Sequence, residues 1–151
     1  MMKTTWAGII VYDSGQILLR RNYYNRYSFL EAEVMPGEVP VTVARRVATD
    51  LGGYVLKESE IKPLGKMEHF KPRGERSIKT STAMYCGNTI LAVETPLPGE
   101  FPVWVPLDSA TDILREAEDR VFLNDYKDSI ARSPGIHPTL QAPPLTARTN
   151  I

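Results

Sequence analysis

The stretch PVTVARRVATDLGG, residues 40–53, restricts more than any other what this chain can fold into. Pro40 suits the first turn of a helix, where its missing N–H costs nothing. Gly52 and Gly53 end a helix in the expected way. On a wheel at about 100° per residue, with Val41 at zero, Val43, Ala44, Val47, Ala48 and Leu51 span about 200° to 340°. Thr42, Arg45, Arg46, Thr49 and Asp50 span about 40° to 180°. One face of the helix must therefore be buried against another layer.

The flanking segments supply that layer. WAGIIVYD (6–13) is β-branched and apolar, SGQ turns, and ILLRR (17–21) returns as the second strand of a hairpin. NYYNRYSFLEAEVM reads as loop plus a short strand. YVLKESEIKPLGKMEHF reads as strand, turn and strand, KPRGER as a turn, and IKTSTAMYCGNTI as an alternating strand. After the loop TPLPGEFP comes a short strand, then Asp108 or Ser109 as the cap of a helix. EDRVFLNDYKDSIAR continues that helix, with Val121, Leu123 and Ile130 among its apolar positions. Strands on both sides of one helix, closed by a C-terminal helix, predict an α/β (α+β) sandwich with a mixed sheet between helices. Met84, Cys86 and Trp104 are expected in the core or in a cleft wall.

The chain has 151 residues, 42% of them hydrophobic, enough for one domain with its own core. That domain is expected over residues 1–132. Residues 133–151, SPGIHPTLQAPPLTARTNI, hold four prolines without a hydrophobic period and read as an extended tail. Lys+Arg and Asp+Glu are both 18, which gives no support to a general nucleic-acid or membrane-surface binder. A lone cysteine excludes an intramolecular disulfide and a cysteine zinc site, and His69 and His137 lack metal-ligand spacing. MMKTTWAGIIVYD has no apolar run of signal-peptide or transmembrane length, so a soluble cytoplasmic protein is expected.

The helix and its neighbours resemble the Nudix (MutT-like) superfamily. Its box reads G-x5-E-x7-R-E-U-x-E-E-x-G-U, where U is a bulky aliphatic residue. Anchored on PGE, the first glutamate is Glu38, the arginine Arg46 and the late glycine Gly53. Ala32 stands at the opening glycine, Ala48 at the aliphatic position and Tyr54 at the last one. The acid after the arginine is Val47, and the acid pair is Asp50 and Leu51. GIIVYDSGQILLRR resembles the opening hairpin and WVPLDSATDIL the closing strand and helix, so the likeness covers roughly residues 5 to 130.

The resemblance implies a Nudix-like α/β/α sandwich and a cleft that takes a nucleotide-type ligand. In the family, the acids of this helix hold Mg²⁺ or Mn²⁺, which neutralises the phosphates and activates a water. Val47 and Leu51 offer no oxygen, so a metal is expected to bind weakly and phosphoanhydride hydrolysis to be weak or absent. The candidate catalytic residues are Glu38, Arg46 and Asp50, with the Glu38–Arg46 pair bracing the loop against the helix. The alternative is an active Mg²⁺-dependent hydrolase of a nucleoside diphosphate derivative with a relocated metal site. Candidate ligands for it are Asp50 and Glu68, with Glu31, Glu33 and Glu75 also in reach. RRNYYNRY interleaves cations with tyrosines suited to stacking on a base and contacting phosphate. It supplies Arg20, Arg21, Tyr23, Tyr24, Arg26 and Tyr27 as candidate ligand residues, joined by Arg73 from the basic HFKPRGERSIK. RNA is a second candidate partner. A homodimer or larger assembly reached by the tail is a third.

Overall fold

The computed structural model describes residues 3–132, without the side chains of Lys71 and Arg73. The expected tail, with His137, lies outside the described residues. The elements run β1 (Lys3–Asp13), β2 (Gln16–Arg21), β3 (Tyr27–Ser28), β4 (Leu30–Glu33), α1 (Pro40–Asp50), β5 (Tyr54–Leu56) and a 3-10 turn (Glu58–Glu60). Then follow β6 (Lys62–Arg73), β7 (Arg76–Gly87), β8 (Ile90–Val93), β9 (Pro102–Pro106), α2 (Leu107–Ile113) and α3 (Ala117–Ala131).

The main sheet is mixed, as expected. Its strand order is β3-β2-β1-β7-β6, with β4 on β1 and β9 on β2. Among its described strands, only β1 and β7 form a parallel ladder, in register from Lys3↔Lys79 to Val11↔Gly87. The other edge of β1 is shared: its far end turns back on β2, and Trp6–Ile9 pairs with β4. Alternation along β1 feeds two cores. Ile10 joins the core covered by α2 and α3, which holds Phe29, Met84, Leu123 and Ile130. Ala7, Ile9 and Val11 join the core under α1, where Val43, Ala44 and Ala48 are fully buried. The architecture is thus three layers, α1 on one face and α2 with α3 on the other.

A second small sheet, β5 with β8, flanks α1. Trp104 of β9 ties it to the main sheet. Its Nε1 donates to the Tyr54 hydroxyl at 2.9 Å, and the two rings meet edge to face at 5.4 Å. The chain enters β5 through Gly53, at φ +81°. A Cβ there would meet the Glu94 carbonyl oxygen at 2.6 Å, and the Gly53 carbonyl accepts from the Glu94 N–H.

The C-terminal helix departs from the expectation of one continuous helix. α2 ends at Ile113, Leu114 is extended, and α3 begins at Ala117. The break lets Leu114 enter the core, 1% exposed, and bridge to Tyr27. The Arg120 guanidinium donates to the carbonyls of Leu114 and Arg115, both at 2.7 Å, which satisfies groups freed by the break. Neither Asp108 nor Ser109 caps α2; the cap is Pro106, at the strand end. Val121, expected on the apolar face, is 61% exposed, because α3 meets the sheet through Phe122, Leu123 and Ile130. No helix among the described residues is long and apolar enough to cross a membrane.

Replacing Gly53 by alanine adds a left-handed non-glycine residue and a backbone clash, and is expected to cost about 1–3 kcal/mol. Urea unfolding of Gly53→Ala checks this; an unchanged midpoint would show that the α1–β5 corner relaxes freely.

Candidate functional site

The loop before α1 is closed by its own residues. The Glu38 carboxylate accepts from the Met35 N–H at 2.9 Å and from the Arg46 guanidinium in the second turn of α1. The Met35 carbonyl accepts from the Glu38 N–H in return. The pair is partly exposed, so its Coulomb energy is small and its contribution is to fix geometry. The Arg46 hydrogen bond, then that of Met35, hold the Glu38 carboxyl below its ordinary 4.5.

Beyond that loop, β4 and the C-terminal half of α1 frame a cleft of about 360 Å³, with Arg46, Val47, Asp50 and Leu51 on one wall and Glu31 and Glu33 of β4 among the rest. Val47 is only 2% exposed, since it also belongs to the core under α1, whereas Asp50 and Leu51 are half-buried. A larger cavity of about 540 Å³ shares Trp6, Arg20 and Glu31 with it. Its remaining wall includes His69, Phe70 and Thr80, and the acids at the start of α3. Those acids, Glu118 and Asp119, complement the helix dipole. The Trp6 Nε1 donates to the Thr4 hydroxyl, which also bonds Thr80, both at 3.2 Å, so the indole is held in place. A third cavity, about 330 Å³, lies between Arg20, Arg21, Tyr23 and Phe101. Arg20 borders all three. Glu100 grips it in a two-pronged pair at 2.8 and 3.0 Å.

This arrangement of sheet, helices and cleft matches solved structures. A MutT protein from Bacillus halodurans superposes with a TM-score of 0.68 at 14% identity, covering 80% of each chain. An Ap4A hydrolase from C. elegans gives 0.62 at 17%, covering 87% of this chain and 98% of that one. A MutT Nudix hydrolase from Burkholderia pseudomallei gives 0.65 at 15%, covering 82% and 98%. The chain has a Nudix fold. No family model and no curated protein sequence matches it. The Nudix likeness is therefore one of structure, at identities where sequence comparison finds little.

Of the three α1 positions that the box alignment gives to acids, 47, 50 and 51, only Asp50 offers oxygen. Val47 and Leu51 line the same cleft with methyl groups. Glu31 and Glu33 bring carboxylates to it from β4. Among the described residues, however, no three His, Cys, Asp or Glu side chains converge to hold a metal ion. The donor set does not fit the Mg²⁺ or Mn²⁺ that the fold implies, because a hard dication needs several oxygens at once. Glu68, expected as a second metal ligand, does not meet Asp50. It points from β6 into a separate groove against α3 and pairs with Lys79 at 3.5 Å. Glu75 lies in the exposed β6–β7 turn.

The candidate ligand residues divide. Arg20 lies where the cavities meet, and Arg21 and Tyr23 line the third. Tyr24 and Arg26 line none of these cavities; they stack on each other at 5.9 Å on the exposed tip. Tyr27 is half-buried and packs into the core beside α2 and α3. The side chain of Arg73 lies outside the described residues. Trp6 and Phe70 had not been singled out as cleft residues. The parity of β1, with Trp6 on the face of Ile10 beyond the end of the core, was the available signal for the first.

Glu38→Gln tests the loop brace. A folded carboxyl held below its ordinary value contributes fully above about pH 4.5, and that contribution is lost as pH falls through the lowered value. Hydrogen exchange of the Met35 amide should be protected in the parent and faster in Glu38→Gln above about pH 4.5, the two proteins converging as acid protonates Glu38. Equal protection in the two proteins would mean that other contacts hold the loop.

Proposed function

We propose that this Nudix-fold chain binds a nucleotide-type ligand and hydrolyses phosphoanhydrides weakly or not at all. The observation that carries the reading is the presence of Val47 and Leu51 in the cleft wall, at the positions where metal-holding acids are required. On this reading Arg20 meets an anionic group where the cavities join, and Trp6 lies against a planar one. The structural likeness to an Ap4A hydrolase fits a nucleotide-type ligand.

Titration with Mg²⁺ or Mn²⁺ at millimolar levels should give no saturable binding at α1, and Asp50→Asn should change turnover less than about twofold. Leu51→Glu, at a half-buried cleft position beside Asp50, should fold and gain metal binding. Val47→Glu should lose several kcal/mol of stability, because its position is shared with the core. Robust metal-dependent turnover that Asp50→Asn abolishes would overturn the reading.

One observation favours a second reading, an active enzyme with a rebuilt metal site: Glu31 and Glu33 share the cleft with Asp50. It requires metal-dependent turnover in the parent that Glu31→Gln or Glu33→Gln removes. Turnover insensitive to both substitutions would rule it out.

A further inference from the structure

We propose that His69 reads the edge of the ligand, offering Nε2–H to a hydrogen-bond acceptor on a planar heterocycle that lies against Trp6. This rests on the reading of the cleft as a nucleotide-type site and names the recognition within it. His69 stands on β6 opposite Thr80 of β7, in the wall of the 540 Å³ cavity. Its Nδ1 is buried and has no hydrogen-bond partner among the described residues. His69 lines the cavity while its Nδ1 is shut away from solvent, so on this proposal Nε2 turns toward the cavity.

A neutral imidazole has one N–H to place. On Nδ1 it would be a donor in the interior with no acceptor, the rarer and costlier kind of orphan. On Nε2 it faces space where water or a ligand can accept it. The burial of Nδ1 thus selects the Nε2–H tautomer and gives the cavity a fixed donor.

The walls beside that donor suit a flat ring. The Trp6 indole is held by Thr4, and Thr4 by Thr80. His69 pairs with Thr80, so Thr4, Trp6, Thr80 and His69 share one face of the sheet. An aromatic wall and one edge-directed donor on that face together match a nucleobase with a ring-nitrogen or carbonyl acceptor.

The test uses the full chain at pH 8. Binding of the four ribonucleoside monophosphates is measured by calorimetry. The tightest is then compared with its deaza and deoxo analogues, each lacking one acceptor. One analogue should bind about tenfold more weakly, as expected for loss of one net hydrogen bond. That penalty should persist in His69→Gln, whose amide replaces the Nε2 donor, and vanish in His69→Leu. Nitrogen-15 spectra of the imidazoles should show the Nε2–H tautomer; with two histidines in the chain, His137→Gln assigns them. An Nδ1–H tautomer, or equal penalties in parent and His69→Leu, would overturn the role of His69 alone. Failure of all four mononucleotides to bind would overturn the nucleotide-type reading, and this inference with it.

Discussion

Burial of β1 on both faces is the contact on which the rest of the structure depends. Ala7, Ile9 and Val11 press on α1 while Ile10 faces α2 and α3, so one strand nucleates two cores. The parallel pairing of β1 with β7 runs the length of that contact. A strand with both faces covered tolerates neither slippage nor polar substitution, since a one-residue shift exchanges the two faces. With β1 fixed, the position of α1 is fixed, and so is the cleft at its C-terminal end.

The cleft forms where the two layers stop. Val43, Ala44 and Ala48 lie deep under α1, whereas Val47 and Leu51 follow on the same stripe and emerge at the cleft. There they carry the apolar stripe of the helix into the cleft wall. The Glu38–Arg46 pair closes the preceding loop onto α1.

Arg20 and Trp6 join the cavities on the other side of the cleft. Glu100 fixes the guanidinium from the β8–β9 loop, and Thr4 fixes the indole from within β1. Both side chains are therefore preorganised, Arg20 by a residue far from it in sequence and Trp6 by its neighbour on the same face of β1. A site built in this way loses little side-chain entropy when a ligand arrives.

Local chemistry alone determined α1, from Pro40 to the glycines at 52 and 53, because helix starts and stops depend on backbone freedom and on missing donors. Period-two alternation likewise determined β1, β2 and β7. The apolar character of Val47 and Leu51 was legible too, since side-chain chemistry needs no coordinates. Three things were decided only by tertiary structure. Leu114 broke the last helix because burying its side chain outweighed helical continuity. Glu68 was carried away from Asp50 because β6 lies at the far edge of the sheet, a matter of strand order that no local pattern encodes. The meeting of Trp6, Arg20, Glu31 and His69 around joined cavities required four strands in one register, and register is set by long-range pairing between segments far apart in the chain.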